Sequence, residues 1–164
     1  MPVDTELIGQ PTTASRVHVE RGAVSYFASA VKDENPIFHD ENAARAAGFD
    51  DIPAPPTFSF AMNHMGRHPE DQPPDPTGGK NPMFEAMGRL MSKGGLVLHG
   101  EQEFVYHRPI VVGDVLVGEG TLVDMYERES KGRTMTFIVV ETVWRDDRSG
   151  DPVVTERFNL IHRA

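Results

Sequence analysis

The first half of the chain has apolar residues at helical spacing. One face of a first helix, about ten residues long, is marked by positions three and four apart: Val24, Phe27, Ala28 and Val31. Pro36 excludes helical backbone at Asn35, so this helix is expected to end near Asp33. A short alanine-rich helix follows, with Asp40 as its N-cap and Gly48 closing it.

Two further helices are predicted on either side of a long loop. Thr57 is expected to cap a central helix. The apolar face of that helix is formed by Phe58, Ala61, Met62 and Met65. Residues 67–82 hold too many prolines and glycines for regular structure, so they are expected to form a surface loop. A short helix should follow, with these apolar residues on one side: Met83, Met87, Leu90 and Met91.

The second half of the chain changes to an alternation of two, which is typical of strands. The expected strands cover residues 98–108, 115–127, 134–145 and 153–162. The short breaks between them predict antiparallel hairpins. Helices followed by such a sheet predict an α+β fold. We expect residues 1–15 to form an N-terminal arm and residues 16–164 to form one domain that includes the loop.

Composition and charge narrow the classes of partner. The 164 residues include 16 Lys and Arg against 25 Asp and Glu, which gives a formal net charge of −9. This charge repels nucleic acid and anionic membranes, so neither is expected as a partner. The chain has no cysteine, no signal-peptide pattern and no apolar run long enough to cross a membrane. We therefore expect a cytoplasmic protein.

Several short motifs occur together in one order. They are Y-F-A from Tyr26, D-x-N-P from Asp33, Asp40 with Ala43 and Ala44, A-P-P-T-F from Ala54, G-E-Q-x-F from Gly100, Y-H-R-P from Tyr106 and G-D-V-L from Gly113. The combination resembles the MaoC-like hot-dog proteins, which include (R)-specific enoyl-CoA hydratases and 3-hydroxyacyl-thioester dehydratases. The resemblance covers most of the chain.

The resemblance implies a single hot-dog fold, in which an antiparallel sheet wraps around a central helix. It also implies a dimer of two such folds that binds an acyl-CoA or acyl-carrier-protein thioester between them, without a cofactor. Catalytic members carry D-x-N-P-x-H-x-D, whose Asp and His hold the water that is added to the enoyl thioester or removed in the reverse reaction. A Gly backbone N–H at the start of their central helix binds the thioester oxygen.

The chain departs from this catalytic pattern at two positions. Phe38 stands at the family's His position, and His39 lies one residue later, where an extended side chain points to the opposite face. Pro56 stands at the position of the donor Gly and has no N–H. Loss of one such donor typically lowers the rate by roughly 100- to 1000-fold. The pattern therefore resembles the non-catalytic, N-terminal hot-dog half of two-domain or two-subunit dehydratases.

The candidate site residues follow from the same resemblance. Asp33 and His39 are the candidate catalytic pair, although Asp33 is also suited to cap the turn before Pro36. His39 could equally face solvent. The candidate substrate-binding residues are Asn35, Phe38, Pro56, Thr57, Phe58 and Arg108. Arg108 is included as a ligand for the phosphate of CoA or of a carrier protein, against the commoner role of a solvated Arg at a strand end.

Three functions remain open. The first is a subunit of an acyl-thioester hydratase or dehydratase that binds substrate or stabilises a catalytic hot-dog partner, in a homodimer or heterodimer. The second is an active homodimeric (R)-specific enoyl-CoA hydratase that uses Asp33 with His39. The third is a hot-dog thioesterase, which needs a carboxylate beside the central helix that Phe58–Met65 does not carry. No metal site is expected, because His64 and His68 are four residues apart but have no evident third ligand.

Overall fold

In the computed structural model, residues 4–164 are described and contain one five-stranded antiparallel sheet. Its strands are β1 (Pro11–His18), β2 (Leu96–Tyr106), β3 (Val115–Ser130), β4 (Arg133–Asp146) and β5 (Pro152–Arg163). Their spatial order is β1-β3-β4-β5-β2, so β1 and β2 are the two edges. The predicted α+β class and the single hot-dog fold are confirmed.

The helices of the described chain lie mainly in its first half. They are α1 (Arg21–Ala30), α2 (Glu41–Ala46), α3 (Phe58–Met62) and α4 (Pro82–Met91). Single 3-10 turns lie at Thr5–Leu7, Pro36–Phe38 and Pro69–Asp71. Within residues 4–164, no helix is long and apolar enough to cross a membrane.

The local signals for α2 and for the β3–β4 hairpin are confirmed. The Asp40 side chain accepts a hydrogen bond of 2.7 Å from the Ala43 N–H, which caps the first turn of α2. Lys131 and Gly132 form a two-residue turn with φ of 51° and 74°. Positive φ at both central residues matches the right-handed twist of the flanking strands, so this long hairpin closes tightly.

The central helix is shorter than the sequence predicts, and Thr57 does not cap it. Helix α3 ends at Met62, and Thr57 has a left-handed φ of 70° with no side-chain bond to the helix. Phe58 and Met62 are nevertheless fully buried against the sheet, in one cluster with Leu116 and Trp144. The short helix is therefore stabilised mainly by burial, since five residues cannot form a stable helix alone.

The predicted N-terminal arm is wrong for residues 11–15, because they form the first half of β1. This segment pairs with β3 over most of its length. Its polar residues Thr12 and Ser15 are buried, which the composition of the segment does not suggest. The segment was predicted to be a solvated arm because most of its side chains are small and carry hydroxyl groups. In the structure, one face of the strand points into the core.

A second core lies beneath α4. The apolar side of this helix, predicted from its methionines, packs on the sheet around Leu122, Met125 and Ile138. Asn81 caps the helix by accepting a hydrogen bond of 3.0 Å from the Met83 N–H. Since α4 has its own packed core, most of the apolar positions on its inner face are structural.

Gln72 makes one of the contacts that hold the Pro-rich loop, residues 67–82, against the edge of the sheet. The Arg16 N–H donates to Gln72 Oε1 at 3.1 Å, and Gln72 Nε2 donates to the Arg16 carbonyl at 2.9 Å. The Gln72 side-chain amide thus makes the two hydrogen bonds to Arg16 that the backbone of a neighbouring strand would make. This contact covers part of the β1 edge, which would otherwise present unpaired backbone groups.

A glycine substitution in β3 tests this packing. A Cβ at Gly118 would lie 2.5 Å from the Trp144 ring, so Gly118→Ala should lower the free energy of unfolding by about 1–3 kcal/mol in urea denaturation. Gly88 in α4 has open space around its Cα, so Gly88→Ala should instead stabilise the protein by up to about 1 kcal/mol. Equal effects of the two changes would contradict the described contact.

Candidate functional site

The D-x-N-P segment forms a turn in which the carboxylate has a structural partner. Asp33 Oδ1 accepts a hydrogen bond of 3.1 Å from the Asn35 N–H, and Asn35 Oδ1 accepts one of 3.2 Å from the Ile37 N–H. Such side-chain bonds to backbone two residues ahead are typical of Asp and Asn in turns. In the structure, the Asp33 and Asn35 side chains therefore stabilise the backbone that leads into the Pro36–Phe38 turn.

The two candidate catalytic side chains do not contact each other. His39 Nε2 lies 3.0 Å from the backbone carbonyl of Asp33, not from its carboxylate. A carbonyl oxygen only accepts, so this nitrogen carries a proton and donates. In this arrangement Nε2 cannot serve as a base. The structure brings Asp33 and His39 together through the backbone but does not form the water-holding pair.

Phe38, at the position of the family's His, is buried. It lies at the end of the Pro36–Phe38 turn, between a half-buried Ile37 and a half-buried His39. An apolar ring in this place can pack but cannot transfer a proton. The apolar side chain therefore fits this buried position.

The first backbone N–H groups at the start of the central helix already have hydrogen-bond partners within the protein. Pro56 has no N–H, and the next N–H, of Thr57, donates to the Tyr106 hydroxyl at 2.9 Å. The following Phe58 N–H donates to the Pro55 carbonyl at 3.1 Å. These two donors therefore already have protein partners, and a thioester oxygen would have to displace one of them.

A cavity of about 350 Å³ lies in front of this helix start. It is lined by Ala54, Pro55, Pro56, Tyr106, His107, Arg108, Pro109 and Ile110. Two of the candidate binding residues, Pro56 and Arg108, thus share one cavity, whereas Asn35 and Phe38 are outside its lining.

Arg108 is held in an ion-pair network at the strand ends. Its guanidinium donates to Asp114 at 2.7 and 3.1 Å and to Asp146 at 2.8 Å. The bonds to Asp114 raise the pKa of Arg108 further above its ordinary value. Two carboxylates already balance its charge, so this geometry favours a structural role. Phosphate binding by Arg108 stays a prediction.

Beneath α3 lies a second cavity, of about 180 Å³, with a buried carboxyl group in its wall. Glu156 of β5 accepts hydrogen bonds of 3.0 Å from the Ser59 hydroxyl of α3 and from Trp144 Nε1 of β4. Burial raises the pKa of Glu156, because the charged form loses its hydration, and the two donors only partly offset this. The carboxyl therefore connects the central helix to the sheet.

Several other polar atoms around this cavity have no hydrogen-bond partner within residues 4–164. They are Thr12 Oγ1, Asn63 Oδ1, Gln102 Oε1 and Gln102 Nε2. Buried polar groups are rarely left unpaired, so these atoms need water or a polar ligand group inside the cavity. The cavity is thus suited to polar contents, not to a plain alkyl chain alone.

Sequence reasoning missed Glu156. It assumed that a carboxylate beside the central helix must come from the helix itself. The available signal was the alternation in β5, where Val154, Glu156 and Phe158 fall on one face, so a charged residue occupies an inward position.

Comparisons with known proteins place this geometry in a family. Residues 6–156 match the family described as "FAS1-like, dehydratase domain region". The chain belongs to the MaoC-like hot-dog dehydratases. A UPF0336 protein of Saccharopolyspora erythraea is 32% identical over all of this chain and 94% of that relative.

Two further matches concern proteins with a named activity. A probable enoyl-CoA hydratase alpha subunit of Thermomonospora curvata is 30% identical over 84% of this chain but only 43% of its own length. A solved structure, the C-terminally truncated HadBC 3R-hydroxyacyl-ACP dehydratase complex of Mycobacterium tuberculosis, has a TM-score of 0.67. It is 22% identical and covers 94% of this chain and 96% of that one, so it supports the MaoC-like fold.

The buried carboxyl predicts a pH dependence of stability in this MaoC-like chain. Because the folded pKa of Glu156 is raised, the folded state binds more protons than the unfolded state, and stability should fall as pH rises from about 4.5 through the folded pKa. Glu156→Gln should lose this part of the pH dependence. Its amide oxygen can still accept from Trp144 Nε1, and its amide nitrogen can donate to the Ser59 hydroxyl, which reverses that bond. The measurement is urea denaturation between pH 4.5 and 8.

The matched control for this prediction is Glu119→Gln on β3, where the side chain is exposed. This variant should follow the wild-type pH profile. If Glu156→Gln also follows the wild-type profile, Glu156 does not bind its proton more tightly in the folded state.

Proposed function

We propose that this chain is a non-catalytic hot-dog subunit of an acyl-thioester hydratase or dehydratase. The observation that carries the proposal is the position of His39 Nε2, which lies 3.0 Å from the Asp33 backbone carbonyl and not at the Asp33 carboxylate, so the pair that must hold a water is not formed. The occupied Thr57 N–H adds to it. The chain binds a thioester together with a partner that supplies the complete motif.

The free edge of β2 is the proposed contact with the partner. Within residues 4–164, β2 pairs only with β5 and leaves its other edge open. The exposed large apolar residues on this strand are Leu96, Leu98, Val105 and Tyr106. An open edge with apolar side chains favours strand-to-strand association, which would join two sheets into one.

The similar proteins support a paired arrangement. The Thermomonospora relative is named as an alpha subunit, and the mycobacterial structure is a complex. We infer that a second hot-dog domain comes from another chain, and a heterodimer agrees best with the incomplete motif.

A thioesterase is a second candidate function, and Glu156 is the observation that favours it. The sequence offered no carboxylate beside the central helix, whereas the structure has one within hydrogen-bond reach of Ser59. Its raised pKa makes the ionised carboxylate a stronger base, which would suit general-base catalysis. Against this role, both carboxyl oxygens already accept hydrogen bonds from the protein.

The first test measures hydration of short and long enoyl-CoA by the pure chain, alone and with a complete-motif MaoC-like partner. We expect negligible turnover alone and clear turnover in the mixture. Asp33→Asn and His39→Ala should leave the activity of the mixture within about twofold, because neither group acts on the substrate. Robust turnover by the pure chain that either variant abolishes would establish the active homodimer instead.

The same preparations distinguish the thioesterase. Release of free CoA from saturated acyl-CoA should be absent in our account. Hydrolysis that Glu156→Gln abolishes, while Glu119→Gln leaves it unchanged, would favour the second candidate function.

A second test concerns the contact surface on β2. Val105→Asp places a charge on the exposed edge and should shift the assembly toward monomer in light scattering at micromolar concentration. Val31→Asp, at an equally exposed position after α1, is the matched control and should leave the assembly unchanged. Dissociation by Val31→Asp but not by Val105→Asp would place the interface elsewhere.

A further inference from the structure

A cluster of metal-ligating side chains lies at the opposite edge of the sheet from β2. His18 ends β1, and His68 and Asp71 lie in the Pro-rich loop. One ligand atom from each of the three residues lies within 4.8 Å of the other two. From its spacing in the sequence, His68 was considered as a metal ligand together with His64. In the structure, His68 lies beside His18 instead.

The contacts inside the cluster are close and charged. His18 Nε2 lies 2.6 Å from Asp71 Oδ2, and the His18 and His68 rings stack with centroids 4.2 Å apart. Glu20 Oε1 lies 3.3 Å from His68 Nε2.

The backbone holds these residues together without help from their side chains. The His18 N–H donates to the Gly66 carbonyl at 2.8 Å, and Gln72 Nε2 donates to the His68 carbonyl at 3.0 Å. Gly66 is required here, because a Cβ would lie 2.2 Å from the His18 carbonyl oxygen. The loop is therefore fixed to β1 on both sides of its ligands, which preorganises the cluster.

We propose that His18, His68 and Asp71 form a binding site for a divalent transition-metal ion of the zinc class. Two imidazole nitrogens and one carboxylate oxygen are a common zinc ligand set. Glu20 supplies either the fourth ligand or the acceptor that orients the His68 ring.

Metal binding requires a side-chain rearrangement. The ion lies in the plane of each imidazole that binds it, and the His18 and His68 rings are stacked at an interplanar angle of 8°, so one ring must rotate out of the stack. Zinc bonds of about 2.0–2.2 Å at tetrahedral angles place two ligand atoms roughly 3.3 Å apart. The close His18–Asp71 pair must open slightly, and the more distant atoms must approach. The metal takes the place of the proton that the His18–Asp71 hydrogen bond now shares.

The site would fix the loop to the sheet, not perform chemistry. Its ligands join β1 to residues 68–71, and all of them are partly exposed, so an ion can enter from solvent. Because this cluster lies outside both cavities described above, the inference does not depend on the proposed function.

The test measures Zn²⁺ binding to the purified, tag-free chain by competition with a chromophoric chelator. We expect one tight site per chain. His18→Gln, which can keep a hydrogen bond to Asp71, and Asp71→Asn should each weaken binding by roughly tenfold or more. Co²⁺ should give the visible absorption of a four- or five-coordinate site, which both variants lose.

The control variant is His64→Gln, which removes an exposed imidazole in the same region without touching the cluster. It should bind Zn²⁺ as the wild type does. Zn²⁺ should also slow amide hydrogen exchange across residues 67–73 in the wild type and in His64→Gln, but not in His18→Gln. Absent binding, or equal affinity of the wild type and His18→Gln, would overturn the metal site and leave a His–Asp ion pair.

Discussion

The rest of the fold depends on how the central helix α3 is attached to the sheet, through apolar packing and through the hydrogen bonds of Glu156. Helix α3 has five residues, too few to be stable in water, so the surrounding sheet must hold it in place. Phe58 and Met62 supply the apolar burial, and Glu156 connects Ser59 of the helix to Trp144 of the sheet. The Trp144 ring of β4 packs directly on Gly118, its cross-strand neighbour in β3. Through Glu156, the same ring is also connected to the central helix.

Structural roles explain why the chain keeps much of the family pattern. Asp33 and Asn35 close a turn, Asp40 caps α2, and Asp114 binds Arg108. These structural roles require the same residues whether or not the protein converts a substrate. At the two positions where the catalytic family pattern has His and Gly, the chain carries Phe38 and Pro56. The retained motif residues therefore identify the fold, and the changed ones bear on function.

The elements with strong local signals were predictable from sequence. The D-x-N-P turn, the Asp40 cap and the Lys131-Gly132 hairpin each follow from the preferences of a few adjacent residues. The strand β1 was not predictable, because its small hydroxyl residues resemble a solvated tail until β3 pairs with them.

Most of the site was beyond sequence reasoning, because it depends on contacts between distant segments. Tyr106 reaches the Thr57 N–H across 49 residues, and Glu156 reaches Ser59 across 97. His18 meets Asp71 across 53. Helical spacing can suggest only partners a few residues away, which is why His64 was considered for His68. The departures from the catalytic motif at Phe38 and Pro56 were visible in the sequence, since both are identities at single positions.

The most direct measurement is a crystal structure of this chain with a complete-motif partner and a non-reactive acyl-CoA analogue. Our account predicts that the thioester oxygen binds at the partner's central-helix start and that the Thr57 N–H remains bonded to Tyr106. A thioester oxygen on the Thr57 N–H, with a water held between the Asp33 carboxylate and His39, would contradict it.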